Sequence, residues 1–165
     1  MKDRIVKQIH SFYYAIRGLL SVLKTESHMR FHLVAAIYVV FFANKFYMLT
    51  PAQLCVLILT ISLVFITEIL NTVLERVCDT VTTEYNKNIE FIKDVSAGAV
   101  LVAAIASVII AFILLYDTYT FKLIFHYYTH NISALVMLIL WTIVALAFVT
   151  IKPQWYLDKL KKKNK

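Results

Sequence analysis

Thr67-Glu68-Ile69-Leu70-Asn71-Thr72-Val73-Leu74-Glu75-Arg76-Val77-Cys78-Asp79 closes a long apolar run that begins near Ala52. At about 100° per residue, Glu68, Asn71, Glu75 and Asp79 fall within a stripe about 80° wide, so three acids and one amide share one face of one helix. Ionisable groups inside or at the mouth of a membrane span are costly and mark a functional site by default. The competing readings are a polar seam between packed helices, or the wet end of a helix that has left the bilayer. A seam has little use for three acids, because like charges on adjacent turns repel. A divalent cation would neutralise them, and hard cations take oxygen ligands.

The surrounding composition decides the fold class. Of 165 residues, 61% are hydrophobic and 16% charged, with two Gly and two Pro. Long, nearly uncharged runs with few turn formers and no alternating strand pattern predict an all-α integral membrane protein rather than a barrel. The net charge of +7 does not point to nucleic acid, because the basic residues flank apolar spans and suit a membrane surface. Cys55 and Cys78 lie at opposite ends of one predicted span, roughly 35 Å apart along its axis, so they cannot pair within the chain. No cleavable signal peptide is expected, since the N-terminus is amphipathic.

In chain order, Ile5, Ile9, Phe12, Ile16, Leu19 and Leu23 recur at helical spacing while Arg4, Lys7, Arg17 and Lys24 point elsewhere. This pattern predicts an amphipathic helix over residues 4–24 lying on an anionic leaflet. The first span is placed at about Met29–Leu49. Thr50-Pro51-Ala52-Gln53 then has the form of a capping box with Pro at the first helical position, opening a second span to about Val77. Thr80 to Lys93 reads as polar. A third span covers about Asp94–Tyr116, an aromatic-rich connection Asp117–Asn131, and a fourth span about Ile132–Ile151 ahead of a basic tail. On this plan fifteen Lys and Arg lie on one side and two on the other. The positive-inside rule then puts both termini, the middle loop and the acidic stripe in the cytoplasm.

Glu26, the stripe and Lys93-Asp94 are all expected at that cytoplasmic interface. Together they offer carboxylates for Mg²⁺, a Lys for phosphate oxygens and a spare carboxylate as base, the parts phosphoryl transfer needs. There is no Gly-rich phosphate loop, because Gly18 and Gly98 stand far apart. Gly98 with Ala97, Ala99, Ala103 and Ala104 reads as a small-residue packing face. The five His share no metal motif, and Tyr and Trp near the span ends read as an interface belt.

The run Glu68-Ile69-Leu70-Asn71-Thr72-x-x-Glu75-x-x-x-Asp79, followed by Glu84-Tyr85 and Lys93-Asp94-Val95-Ser96-Ala97-Gly98-Ala99-Val100, resembles the small prokaryotic diacylglycerol kinase family. That family includes the undecaprenol kinases of Gram-positive bacteria, and the Lys93–Val100 run looks closest to that branch. Tyr14, Gly18, Glu26 and Arg30 also fall where the family's surface helix and following turn have equivalents. The resemblance covers about residues 5–116. It implies a homotrimer with a surface helix and three membrane spans per chain, in a bacterial cell membrane, transferring the γ-phosphate of ATP with Mg²⁺ to a lipid alcohol. By matched position, Glu68 is implied as general base and Glu26 and Glu75 as metal ligands. Asn71 and Ala97 fall on the substrate side, and Arg30 and Asp79 in support. Tyr14, Glu84, Tyr85, Asn86, Lys93 and Asp94, with Glu26 and Glu75, fall on the nucleotide side. Asn86 stands where some members have His, Lys7 near a family Arg, and Ala97 where some have Ser.

The expected organisation is therefore a surface helix over 1–28, a three-helix lipid kinase domain over 29–116, a connection and extra span over 117–151, and a basic cytoplasmic tail over 152–165. Undecaprenol leads as substrate, with diacylglycerol as the alternative. A different class, a non-catalytic membrane subunit or divalent-cation-binding protein, would use the same stripe without ATP.

Overall fold

A computed structural model describes residues 2–82 and 84–151, which form six helices in chain order: α1 Lys2–Thr25, α2 Ser27–Phe46, α3 Pro51–Val81, α4 Lys87–Leu115, α5 Thr118–His130 and α6 Ile132–Thr150. The basic tail expected over 152–165 lies outside the described residues. α2, α3, α4 and α6 are each long and apolar enough to cross a membrane. Their outward faces suit only lipid or another apolar surface: Leu59, Val102 and Trp141 are each about two-thirds exposed, the reverse of the pattern water selects.

α3 starts where its local chemistry dictates. Thr50 Oγ1 accepts from Gln53 N at 3.3 Å and Gln53 Oε1 accepts from Thr50 N at 2.9 Å, with Pro51 at a position that needs no N–H. The helix then runs for 31 residues, about 46 Å at 1.5 Å per residue against a hydrocarbon core of about 30 Å. The polar residues Glu68, Asn71, Glu75 and Asp79 all lie in its C-terminal half. α4 returns antiparallel and packs on α3 more extensively than any other pair of helices. It begins at Lys87, about two turns earlier than the expected span, because Asn86 Oδ1 caps it by accepting from Asn88 N at 2.9 Å.

α2 joins this hairpin along α3, and α1 touches the end of α2 and α3. α1 is exposed on every face from Val6 to Ser21, its apolar stripe of Ile9, Phe12, Ile16 and Leu19 included. The small-residue face of α4 is only partly used within the chain. Ala103 is buried, whereas a side chain at Gly98 would meet nothing within 4 Å.

The stretch expected as a connection after Asp117 is instead helix α5. Its aromatic and β-branched residues are weak helix formers, but Asp117 caps the first turn, accepting from Tyr119 N at 3.2 Å and Thr120 N at 2.9 Å. Burial of Thr120 and Tyr128 holds the rest. Tyr128 lies against Phe42 and Phe46 of α2, and Lys45 Nζ sits 4.1 Å from the Tyr127 ring centre while donating to Tyr127 Oη at 2.9 Å. α6 then runs back beside α2, with Tyr38 Oη and Thr142 Oγ1 bonded at 2.8 Å.

Candidate functional site

Along the last turns of α3 the acidic stripe passes from buried to open. Glu68 is 3% exposed, Asn71 and Glu75 are half-buried and Asp79 is exposed. Helical periodicity puts all four on one face, and the boundary of the α3–α4 seam sets the gradient. Glu68's main-chain carbonyl accepts from Thr72 Oγ1 at 3.0 Å, while no other described residue hydrogen-bonds or ion-pairs with its carboxylate. Glu26, Glu75 and His28 are the charged groups near enough to act on it.

Glu75 is held by its own helix. Asn71 Nδ2 donates to Glu75 Oε1 at 2.9 Å, and Asn71 Oδ1 accepts from Ser96 Oγ on α4 at 2.6 Å. Ser96, buried in the seam, is a member of this chain of bonds that the sequence reading did not single out. Arg76 is another. Its Nη2 donates to Thr25 Oγ1 at 3.0 Å and lies 4.0 Å from Glu26 Oε1, which draws the α1–α2 junction toward α3. Glu26 occupies the N-cap position of α2 without capping it, so its side chain is available to the stripe. Arg30 is buried at that same junction.

Five of the eight residues expected on the nucleotide side, Glu84, Tyr85, Asn86, Lys93 and Asp94, gather at the α3–α4 turn, whereas Tyr14, Glu26 and Glu75 do not line it. A cleft of about 590 Å³ is lined by Asp79, Thr82, Glu84, Tyr85, Asn86, Ile89, Glu90, Lys93 and Asp94. Lys93 Nζ donates to Asp79 Oδ1 at 2.5 Å across its wall. Glu90, also missed in sequence, accepts from Tyr85 Oη at 2.7 Å, a bond that pushes the phenol above its usual pKa. Asp79 and Lys93 link the cleft to the stripe. Tyr14 is exposed on α1 beside Tyr13 and His10 and does not line the cleft; neither does Ala97, which is exposed on α4.

Among the described residues no group of three or more His, Cys, Asp or Glu is assembled as a metal cage. The donor set present, Glu75 held by Asn71 with Glu26 across from α3, still fits Mg²⁺, which keeps several waters and commonly takes only one or two carboxylates beside substrate phosphates.

A model of the prokaryotic diacylglycerol kinase family matches residues 13–115, from the middle of α1 to the end of α4; α5 and α6 lie beyond it. A diacylglycerol kinase of Synechocystis sp. is 42% identical over 101 residues, covering 61% of this chain and 57% of that protein. The chain thus spans little more than half the length of that relative. An undecaprenol kinase of Bacillus subtilis is 33% identical over 113 residues, covering 68% of this chain and 91% of that protein. With the match running unbroken through the helices that carry the stripe and the cleft, the chain belongs to the prokaryotic diacylglycerol kinase family.

Proposed function

We propose that this protein is a membrane lipid kinase that transfers the γ-phosphate of ATP to the hydroxyl of undecaprenol at the cytoplasmic face of a bacterial cell membrane. The observation that carries the reading is the pairing of a buried carboxylate, Glu68, free of partners among the described residues, with an open polar cleft a few turns further along α3. A lipid hydroxyl entering from the bilayer meets the first; a nucleotide from water meets the second.

Glu68 takes the proton from the lipid hydroxyl as its oxygen attacks the γ-phosphorus. The bond from that phosphorus to the β–γ bridging oxygen breaks, and ADP departs with the electron pair. Proton transfer by a positioned carboxylate contributes typically about 10²–10⁴-fold. Glu26 and Glu75 would hold Mg²⁺, whose chemistry is to neutralise charge on the phosphates. Asn71 keeps Glu75 oriented, and Lys93, released from Asp79, supplies the phosphate-facing cation. Glu84, Tyr85, Asn86 and Asp94 form the walls that receive the nucleotide. The excess of basic residues on one side supports the cytoplasmic placement of both termini and site. A homotrimer would cover part of the apolar surface that α3 and α4 leave exposed.

Diacylglycerol is the second reading, favoured by the 42% identity to a protein named for that substrate. Supplying both lipids in parallel to the purified protein with labelled ATP separates the two, and a cation-binding protein without catalysis would label neither.

A further inference from the structure

α6 has no buried residue along its length, yet the most deeply buried large side chain among the described residues ends on its last turn. Arg30 is 1% exposed and has no carboxylate partner among the described residues. Its Nη1 donates to the carbonyls of Leu23 and Lys24, both at 3.2 Å, and its Nη2 to the carbonyl of Val149 at 3.1 Å. These carbonyls end α1 and α6, where helix geometry leaves the last four without an N–H. At Val149 the sequence makes this certain, because the residue four positions on is Pro153, which has none. The negative ends of two helix dipoles thus take the place of a counter-ion. Arg30 Nε is buried without a partner, so the guanidinium holds no acceptor in reserve.

Glu26 stands four residues before Arg30, one turn away, the spacing at which opposite charges on a helix attract. Its carboxylate faces Arg76 instead. Without the Val149 carbonyl, Nη2 of this buried guanidinium is left unpaired, a costly state that a nearby carboxylate relieves, and Glu26 stands one turn away. We infer that α6 is a positioning element for the carboxylate site: its terminal carbonyl, with the end of α1, occupies Arg30 and so leaves Glu26 facing α3. The Tyr38–Thr142 bond sets the register of the seam. It lies eight residues along α2 from Arg30 and seven along α6 from Val149, about 12 and 10 Å of helix. The functional part of this inference rests on the reading of Glu26 as a metal ligand; the clamp itself does not.

Two measurements on the full chain test it. Ile151→Pro removes the N–H that bonds to the Ala147 carbonyl at 2.9 Å and drives Thr150 out of helical conformation, unwinding the turn that carries the Val149 carbonyl. Arg30→Lys removes the guanidinium fork and leaves α6 intact. First, with Cys55 and Cys78 replaced by Ala, a Lys24→Cys, Thr150→Cys pair is expected to cross-link within one chain through a short bis-maleimide, and to lose that cross-link with Ile151→Pro. Second, Mn²⁺ binding in the presence of a non-hydrolysable ATP analogue is followed by electron paramagnetic resonance. Ile151→Pro is expected to weaken it about tenfold, the size of a lost supporting contact around a metal ligand, and to add nothing in a Glu26→Gln or an Arg30→Lys background. An unchanged cross-link and unchanged Mn²⁺ affinity would overturn the inference, as would an equal loss with and without Glu26. Absence of Mn²⁺ binding in the unaltered protein would remove the metal reading of Glu26, and the cross-link alone would then decide the clamp.

Discussion

Ser96 Oγ donates to Asn71 Oδ1 at 2.6 Å across the α3–α4 seam, and this bond fixes the Asn71 amide beside Glu75. With its oxygen engaged, the amide turns its NH₂ to Glu75 Oε1 at 2.9 Å. The same hydroxyl lies 2.9 Å from the Lys93 carbonyl, so one proton serves two acceptors and the serine is held at the helix surface.

Ser96→Ala removes the donor and leaves the Asn71 amide free to swing away from the carboxylate. One neutral hydrogen bond is worth about 1 kcal/mol, roughly fivefold. The half-saturating Mg²⁺ concentration is expected to rise about fivefold with kcat at saturating Mg²⁺ little changed. An unaltered Mg²⁺ requirement would show that Asn71 is oriented by something else.

Glu68→Gln keeps the volume and the helix but cannot accept the hydroxyl proton. Turnover is expected to fall by at least about 100-fold, the lower range for general-base catalysis, while half-saturating ATP stays within about twofold. Equal losses in both would move Glu68 from the chemistry to binding.

Lys93→Met deletes the cation that Asp79 holds at the wall of the cleft. Hydrogen bonds to charged groups contribute about 1.5–3 kcal/mol, so half-saturating ATP is expected to rise at least about tenfold. Steady-state kinetics with ATP as the varied substrate reads this directly, and an unchanged value would place the phosphates elsewhere.

Asp117 offers a pH test outside the membrane spans. The Thr120 hydroxyl, then the Thr120 and Tyr119 main-chain N–H groups, hold its carboxyl below the usual carboxylate pKa. A depressed folded-state pKa contributes stability above the unfolded value of about 4 that is lost as pH falls through the lower folded one. Thermal unfolding of Asp117→Ala in detergent is expected to lie below that of the unaltered protein at pH 7, with the gap closing as the pH drops below about 4. A gap that persisted at low pH would mean that the ionised carboxylate is not what caps α5.

Features legible in the sequence were those set by periodicity and by neighbours along the chain. The Thr50-Pro51-x-Gln53 start of α3, the α1 apolar stripe and the shared face of Glu68, Asn71, Glu75 and Asp79 all follow from spacing. Groups whose partners come from another helix were not legible. Ser96 reads as one small residue among many until α4 lies on α3, and Arg76 as a solvated neighbour of Glu75 until the α1–α2 junction approaches it. Helix α5 was hidden for a related reason: its residues disfavour a helix locally, and only the Asp117 cap and the burial of Tyr128 against α2 reverse that preference.

The most direct measurement is transfer of labelled γ-phosphate from ATP, with Mg²⁺, by the purified full-length protein and its Glu68→Gln variant, with undecaprenol and diacylglycerol supplied in parallel. The account predicts a labelled lipid phosphate, with undecaprenol preferred, from the unaltered protein and at least about 100-fold less from the variant. Labelling of neither lipid, or equal labelling by both proteins, would contradict it.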